Sequence, residues 1–425
     1  MEQVVVTGLG FVSSIGVGRA PVLSSLRELR HGFTRKRLPG PDVGPELVSG
    51  SIEGFDLEGE ESRDWHFPGQ DKLEPGFLRG LAPHGVYAHA ALVEALSDAS
   101  LSRDELGDTR TGLFCASPGS PRLLRHHLDR IERSGWQRAD PLGVVSSIAG
   151  TLNFNLAAHF GITGANCGFV SACTSSSHAL GYAHDEIALG RQDRVLVVAA
   201  EDGDAESLIP FLGTRALSTN PDPGTASRPF DIGRDGFVGT GGAAALVLES
   251  ATRAQERDRP ALARFLSWGQ ASDGYSVAAP HPDGLGIRTA MERCLAAAEL
   301  PAAEVNWINA HATSTPAGDR AEALAIASLP FDGARISSTK GLTGHGLSYA
   351  GALEAAIAVL SLQEGIVPGN AALVEPDPVC DPLHLPTRTE ESPDLRFVLN
   401  NSSGFGGSNV CHLLASLDAA SPSAA

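Results

Sequence analysis

Lysine is nearly absent, standing only at Lys36, Lys72 and Lys340, while every other strong base is arginine. A chain that otherwise writes arginine either needs the smaller ammonium at 340, or three lysines simply have to fall somewhere; composition leaves both readings open. Bases are outnumbered by acids, and a net charge of −18 argues against nucleic acid or an anionic membrane surface as partner. No apolar stretch reaches the length of a membrane span. The opening MEQVVVTGLG lacks the basic flank, apolar run and cleavage site of a secretory signal. The six cysteines, at 115, 167, 173, 294, 380 and 411, form no CxxC pair and no metal-ligand spacing. That argues against a disulfide framework or a metal site and for the reducing cytoplasm. GLG and GTGG are too loose for a dinucleotide fingerprint, and no acid sits where a ribose would need one.

What is present is an ordinary globular composition, 42% hydrophobic and 19% charged. Apolar runs at 3–6, 194–202, 241–250 and 304–312 read as buried strands, the first turning at TGLG. Residues 86–99 space their apolar positions as an amphipathic helix does, and 347–365 read as a long apolar helix. RFVLNNSS and SNVCHLLAS bracket GFGG as paired strands. Strands and helices alternate in both halves, which gives an α/β architecture with sites on the loops that follow strands. Residues 35–80 read as an irregular surface insertion, and the tail from 418 to 425 as disordered.

Four loops carry chemistry. In SACTSSSHAL, Cys173 stands before a helix whose positive end would lower the thiol pKa. In NAHATSTPAGDRAEA, His311 follows a strand, and Thr313, Ser314 and Thr315 can cap the helix that Pro316 starts. SSTKGLTGHGLSYAGALEA places Lys340 and His345 in a glycine-punctuated turn, with Glu354 on the next helix as the charge partner of a buried lysine. In NNSSGFGGSN, glycines free to take positive φ present N–H groups around Phe405. Taken singly, each is read as easily as packing, a hydrogen-bonded histidine, a solvated lysine or a turn.

Together the four loops, with VVVTGLGFVSSIG, RALST at 215–219 and RPFDIGRDGFV at 228–238, resemble the elongating, two-histidine β-ketoacyl-[acyl carrier protein] synthases of the thiolase superfamily, over most of the chain. The resemblance implies a thiolase fold of two pseudo-symmetric, mixed five-stranded sheets in five α-β-α-β-α layers. Residues 1–255 would form the half carrying the nucleophile and 256–417 the half carrying both histidines. It implies that Cys173 takes an acyl chain from carrier-protein phosphopantetheine, with the N–H groups of Cys173 and Phe405 as oxyanion hole and Gly404 and Gly406 flanking the Phe405 gate. His311 and His345 would stabilise the enolate left by malonyl decarboxylation, with Lys340 and Glu354 orienting the His345 loop. Thr313, Thr315 and Ser403 would contact substrate, and Arg79, Arg125, Arg130 and Arg215 would receive the acidic carrier protein. Neither metal nor redox cofactor is implied. The partner would be a second copy or a chain-length-factor-like subunit. Cys167, Cys380 and Cys411 fall outside the motifs and read as core.

The sequence also departs from the family. GTGGA at 239–243 lacks an acidic residue, Ser403 replaces a bulky aromatic, and CASPGS at 115–120 has no branched residue to floor the acyl pocket. Gly346, Ser348 and Tyr349 replace small or aliphatic residues. These changes point to an unusual acyl chain, a polyketide or polyene intermediate, rather than ordinary fatty-acid elongation. An acyltransferase that does not condense is the alternative within the same fold.

Overall fold

The computed structural model describes residues 2–37 and 46–420. The main path of the large sheet takes five strands from the first half, β1 (Val4–Ser13), β2 (Thr111–Ala116), β3 (Asn166–Phe169), β4 (Arg194–Glu201) and β5 (Gly242–Ser250). Five come from the second, β6 (Ala263–Ser272), β7 (Trp307–Asn309), β8 (Arg335–Ser337), β9 (Phe397–Gly404) and β10 (Ser408–Ala415). The halves repeat one topology. In spatial order the first runs β1-β5-β4-β2-β3 and the second β6-β10-β9-β7-β8, and in both the first three strands are antiparallel and the last two pairings parallel. The two sheets are joined, because Val4–Val6 pair antiparallel with Ala263–Phe265.

Helices α1 (Pro83–Asp98), α2 (Pro121–Ser134) and α3 (Ser175–Ala188) belong to the first half; α4 (Leu285–Ala297), α5 (Pro316–Ala327) and α6 (Ala350–Glu364) to the second. Helix α1 packs on the first sheet, α4 and α5 on the second, and α3 and α6 fill the middle, giving three apolar cores and five layers. Every residue of α6 from Ala350 to Leu362 is buried, as a helix apolar all round must be. Strands β4 and β5 are likewise buried throughout, so their sequences run continuously apolar instead of alternating.

Some sequence expectations change. The strand expected to turn at TGLG runs on to Ser13, because its glycines serve a different purpose. A Cβ on Gly8 or Gly10 would stand 2.3 or 1.8 Å from the carbonyl oxygens of Ala95 and Ala91 on α1, so they admit the helix. The strand expected over 304–312 is confined to Trp307–Asn309. In the insertion, Phe33–Arg37 pair with Glu46–Gly50, and Leu57 and Trp65 are buried in the first outer core, so it is not a loose surface loop. Residues 38–45 lie outside the described residues. Ala419 is buried, its carbonyl accepting from Arg264 at 2.6 Å, and Asp418 pairs with Arg396 at 3.0 Å; the expected disorder therefore does not begin at 418. Residues 421–425 lie outside the described residues. Cys380 and Cys411 are core, but Cys167 is exposed on β3, the edge of the sheet.

Candidate active site

Four loops meet where α3 and α6 begin. Cys173 precedes α3 through a strained turn, Ala172 taking φ 51°. An alanine in that region costs about 1 kcal/mol or more and persists where the surroundings fix it. The turn sets the Sγ of Cys173 3.0 Å from Nε2 of His345. His345 is anchored by its backbone, which donates to Val238 at 2.7 Å and accepts from Thr240 at 3.2 Å. Its ring stands edge-on to His311, centroids 5.3 Å apart, and to Phe237 at 5.2 Å. His311 follows β7, its loop held by Glu322, which accepts from the N–H groups of His311 (2.9 Å) and Ala312 (2.7 Å). Neither histidine has a partner at Nδ1 among the described residues.

Lys340 and Glu354 are both buried and form an ion pair. Burial pushes the Glu354 carboxyl up to about 7 against the pull of Lys340. Burial, reinforced by the Lys340 charge, holds His311 and His345 well below the usual imidazole range, so both are neutral at pH 7.

The thiol itself departs from the expectation of a lowered pKa. Burial pushes Cys173 up to about 12, against Lys340 and against the backbone N–H groups of Phe405 and Cys173, which bond to the sulfur. Desolvation of a thiolate here outweighs what one helix end and two amides return. The resting site is therefore a thiol beside a neutral imidazole. Alkylation of Cys173 by iodoacetamide should rise about tenfold per pH unit from 7 to 10 without a plateau. A plateau near neutrality would show a stable thiolate instead.

A cavity of about 330 Å³ opens beside the sulfur, lined among others by Pro118, Pro121, Val170, Phe211, Leu347 and Phe405. Phe405 is 37% exposed and leans on Phe211, ring centroids 5.8 Å apart. Gly406 and Gly407 take φ of 81° and 73°, whereas Gly404 is extended; there it is space that matters, since its Cβ would lie 3.2 Å from the Cys173 amide. Tyr349, one of the departures, is buried and donates to the Gly241 carbonyl at 2.8 Å.

Other expected residues stand apart from the cavity. Thr313 and Thr315 hydrogen-bond each other at 3.0 Å, and Thr315 does not cap α5 through its side chain. The Ser403 hydroxyl donates to Asn409 at 2.6 Å. Of the arginines, Arg79 pairs with Asp140 (3.6 Å), Arg130 with Glu61 (3.8 Å) and Arg125 with Glu206. Arg215 is exposed and has no ion pair among the described residues. Sequence reasoning missed Glu201 and Glu322, both buried. The signal for Glu201 was an acid closing an otherwise apolar run, VLVVAAE.

Comparison with known proteins agrees with this arrangement. The β-ketoacyl synthase N-terminal domain matches residues 1–254 and the C-terminal domain residues 262–373. The chain is 34% identical to 3-oxoacyl-[acyl-carrier-protein] synthase 1 of Haemophilus influenzae, over 96% of this chain and 98% of that protein. A β-ketoacyl synthase from Burkholderia phymatum superposes with a TM-score of 0.87 at 30% identity, covering 98% and 100% of the two chains. The ishigamide ketosynthase/chain length factor superposes at 0.85 and 29%, covering 98% and 99%. With its repeated half-folds and these matches along its length, the chain belongs to the β-ketoacyl synthase family.

Proposed function

We propose that the chain condenses an acyl group carried on Cys173 with malonyl-acyl carrier protein, releasing carbon dioxide and a 3-oxoacyl-carrier protein two carbons longer. The observation that carries this reading is the 3.0 Å contact of the Cys173 sulfur with His345, inside a site that keeps two neutral histidines beside a buried lysine. A nucleophile with one base suffices for acyl transfer; the second imidazole is what decarboxylation adds.

In the first half-reaction the sulfur attacks the incoming thioester carbonyl while its proton passes to Nε2 of His345. The N–H groups of Cys173 and Phe405 receive the oxyanion. The intermediate collapses, and the departing pantetheine thiolate takes the proton back. His345 can then exchange to its Nε2–H tautomer. In the second half-reaction the malonyl C–C bond breaks, carbon dioxide leaves, and the electron pair becomes an enolate whose oxygen accepts from His311 and His345. The enolate carbon attacks the Cys173 thioester, the sulfur leaves as thiolate, and a proton from water restores the thiol. No step calls on a metal or a redox group.

The carrier protein is the proposed partner, as it is in the name of the Haemophilus relative, a 3-oxoacyl-[acyl-carrier-protein] synthase. Arg215 is the basic residue open to it, since the other three candidates are answered by carboxylates. A second subunit is proposed at the free edge of β3, where Asn166–Gly168 are exposed beside exposed Phe154 and Val170. It is a second copy or, as the ishigamide neighbour's name suggests, a chain-length-factor-like protein, with this chain as the active member. Six unpaired cysteines support a cytoplasmic setting, and among the described residues no helix is long and apolar enough to cross a membrane.

Intact mass spectrometry with a panel of acyl-carrier proteins, followed by malonyl-carrier protein, tests the reading. An acyl adduct on Cys173 that vanishes on malonyl addition, with a two-carbon-longer 3-oxo product, is expected. An adduct that persists would make the chain an acyltransferase, or an active half that condenses only with its second subunit.

A further inference from the structure

The cavity beside Cys173 is walled mostly by apolar groups, yet two acidic residues line it, Glu206, which pairs with Arg125, and Glu201. Glu201 closes β4, its backbone fixed opposite Gly242 of β5, and is only 1% exposed. Its two oxygens differ. Oε2 accepts from the Ser348 N–H at 3.3 Å and lies 2.7 Å from the Ser348 hydroxyl, which also reaches the Ala200 carbonyl at 3.1 Å. Oε1 has no hydrogen-bond partner among the described residues. Ser348, which turns Oε2 toward itself, is one of the residues by which this chain departs from its family.

The carboxyl is protonated at neutral pH, since burial, assisted by the neighbouring Asp202, pushes it up to about 8. The Ser348 N–H already donates to Oε2, which favours the acidic proton on the other oxygen, Oε1. Oε1–H is then a buried donor, on a residue that lines the cavity, with no acceptor among the described residues. Such a group is costly to leave unpaired, and a site built around one discriminates against a ligand that cannot pair it.

We propose that Glu201 is a specificity residue that selects acyl chains bearing a ketone or hydroxyl oxygen, donating Oε1–H to that oxygen, with Ser348 as its positioning residue. This rests on the reading of Cys173 as the acyl acceptor. A saturated chain of the same length fills the cavity but leaves the donor unmet.

The test is competition. A 3-oxo, 3-hydroxy or 5-oxo acyl-carrier protein is offered in turn against an equimolar saturated one of the same chain length, and the two Cys173 adducts are counted by mass. The wild type should favour at least one oxygenated chain over the saturated one by about 10- to 100-fold. Glu201→Gln, which keeps a donor, should retain a preference of the same sign. Glu201→Leu should bring the ratio close to one by accepting the saturated chain better. Ser348→Ala supplies an independent reading should Glu201→Leu fail to fold, and should lower the ratio several-fold. A wild-type ratio near one, or a ratio unmoved in both Glu201→Leu and Ser348→Ala, overturns the proposal and leaves condensation standing. No adduct with any chain would instead overturn the proposed function.

Discussion

Cys173→Ala should abolish the acyl adduct and lower condensation by at least about 10⁴-fold, while leaving malonyl decarboxylation running. None of the other five cysteines lines the cavity, so no second sulfur can substitute. The groups assigned to the enolate lie on other loops, and His311, His345 and the Lys340–Glu354 pair need nothing from the sulfur to hold their places. The two half-reactions should therefore separate by residue. His311→Ala, which removes a group assigned to the enolate and not to the sulfur, should give an acyl adduct that forms and then persists in the presence of malonyl-carrier protein. His345→Ala, within 3.0 Å of the sulfur, should slow both halves. Adduct mass and carbon dioxide released from labelled malonyl-carrier protein read the two halves independently. Loss of decarboxylation in Cys173→Ala would mean that the sulfur takes part in both, and that the division of labour is wrong.

Much of this site was legible because it is built from short loops, each written contiguously: SACTSSS, NAHA, STKGLTGH and GFGG. The fold was legible where burial on both faces forces a continuous apolar run, as in β4, β5 and α6. What stayed hidden depends on neighbours far along the chain. Gly8 and Gly10 look like a turn until the carbonyls of α1 are seen against them. The pairing of Val4–Val6 with Ala263–Phe265, which joins the halves, leaves no local mark because both segments are simply apolar strand. The arginines read as a basic patch because a sequence does not show the acids beside them. The thiol failed differently. Its helix end is local and visible, whereas the desolvation that overrides it comes from Phe405, Phe211, Leu347 and His345, brought in from three other segments. Glu201 was hidden for the same reason: its significance lies in Ser348, on a distant loop, and in the unpaired state of its other oxygen among the described residues.

Lys340→Ala should cost about 3–5 kcal/mol of stability, because it leaves the Glu354 carboxyl buried without its counter-charge. The penalty should depend on pH, and its sign follows from the direction of the shift. Burial raises Glu354 above its ordinary value, so its contribution to folding is most favourable when it is protonated and is lost as pH rises through about 7. Without Lys340 nothing offsets that loss, and thermal unfolding midpoints should diverge from wild type most above pH 7 and converge toward pH 5. Lys340→Met with Glu354→Leu removes both charges and should recover most of the stability, since apolar replacement of a whole buried pair is often neutral. If the pair only held the fold, activity would return with stability. It should not, because the Lys340 cation is part of what keeps His311 and His345 neutral. Removing it raises both histidines, so the acid limb of the decarboxylation profile should move to higher pH in the stable double variant. A double variant that decarboxylates at the wild-type rate on an unshifted profile would reduce the pair to scaffolding. A shifted limb in a well-folded protein would show the lysine acting through space on the two imidazoles, and would explain why a chain that elsewhere writes arginine keeps a compact ammonium at 340.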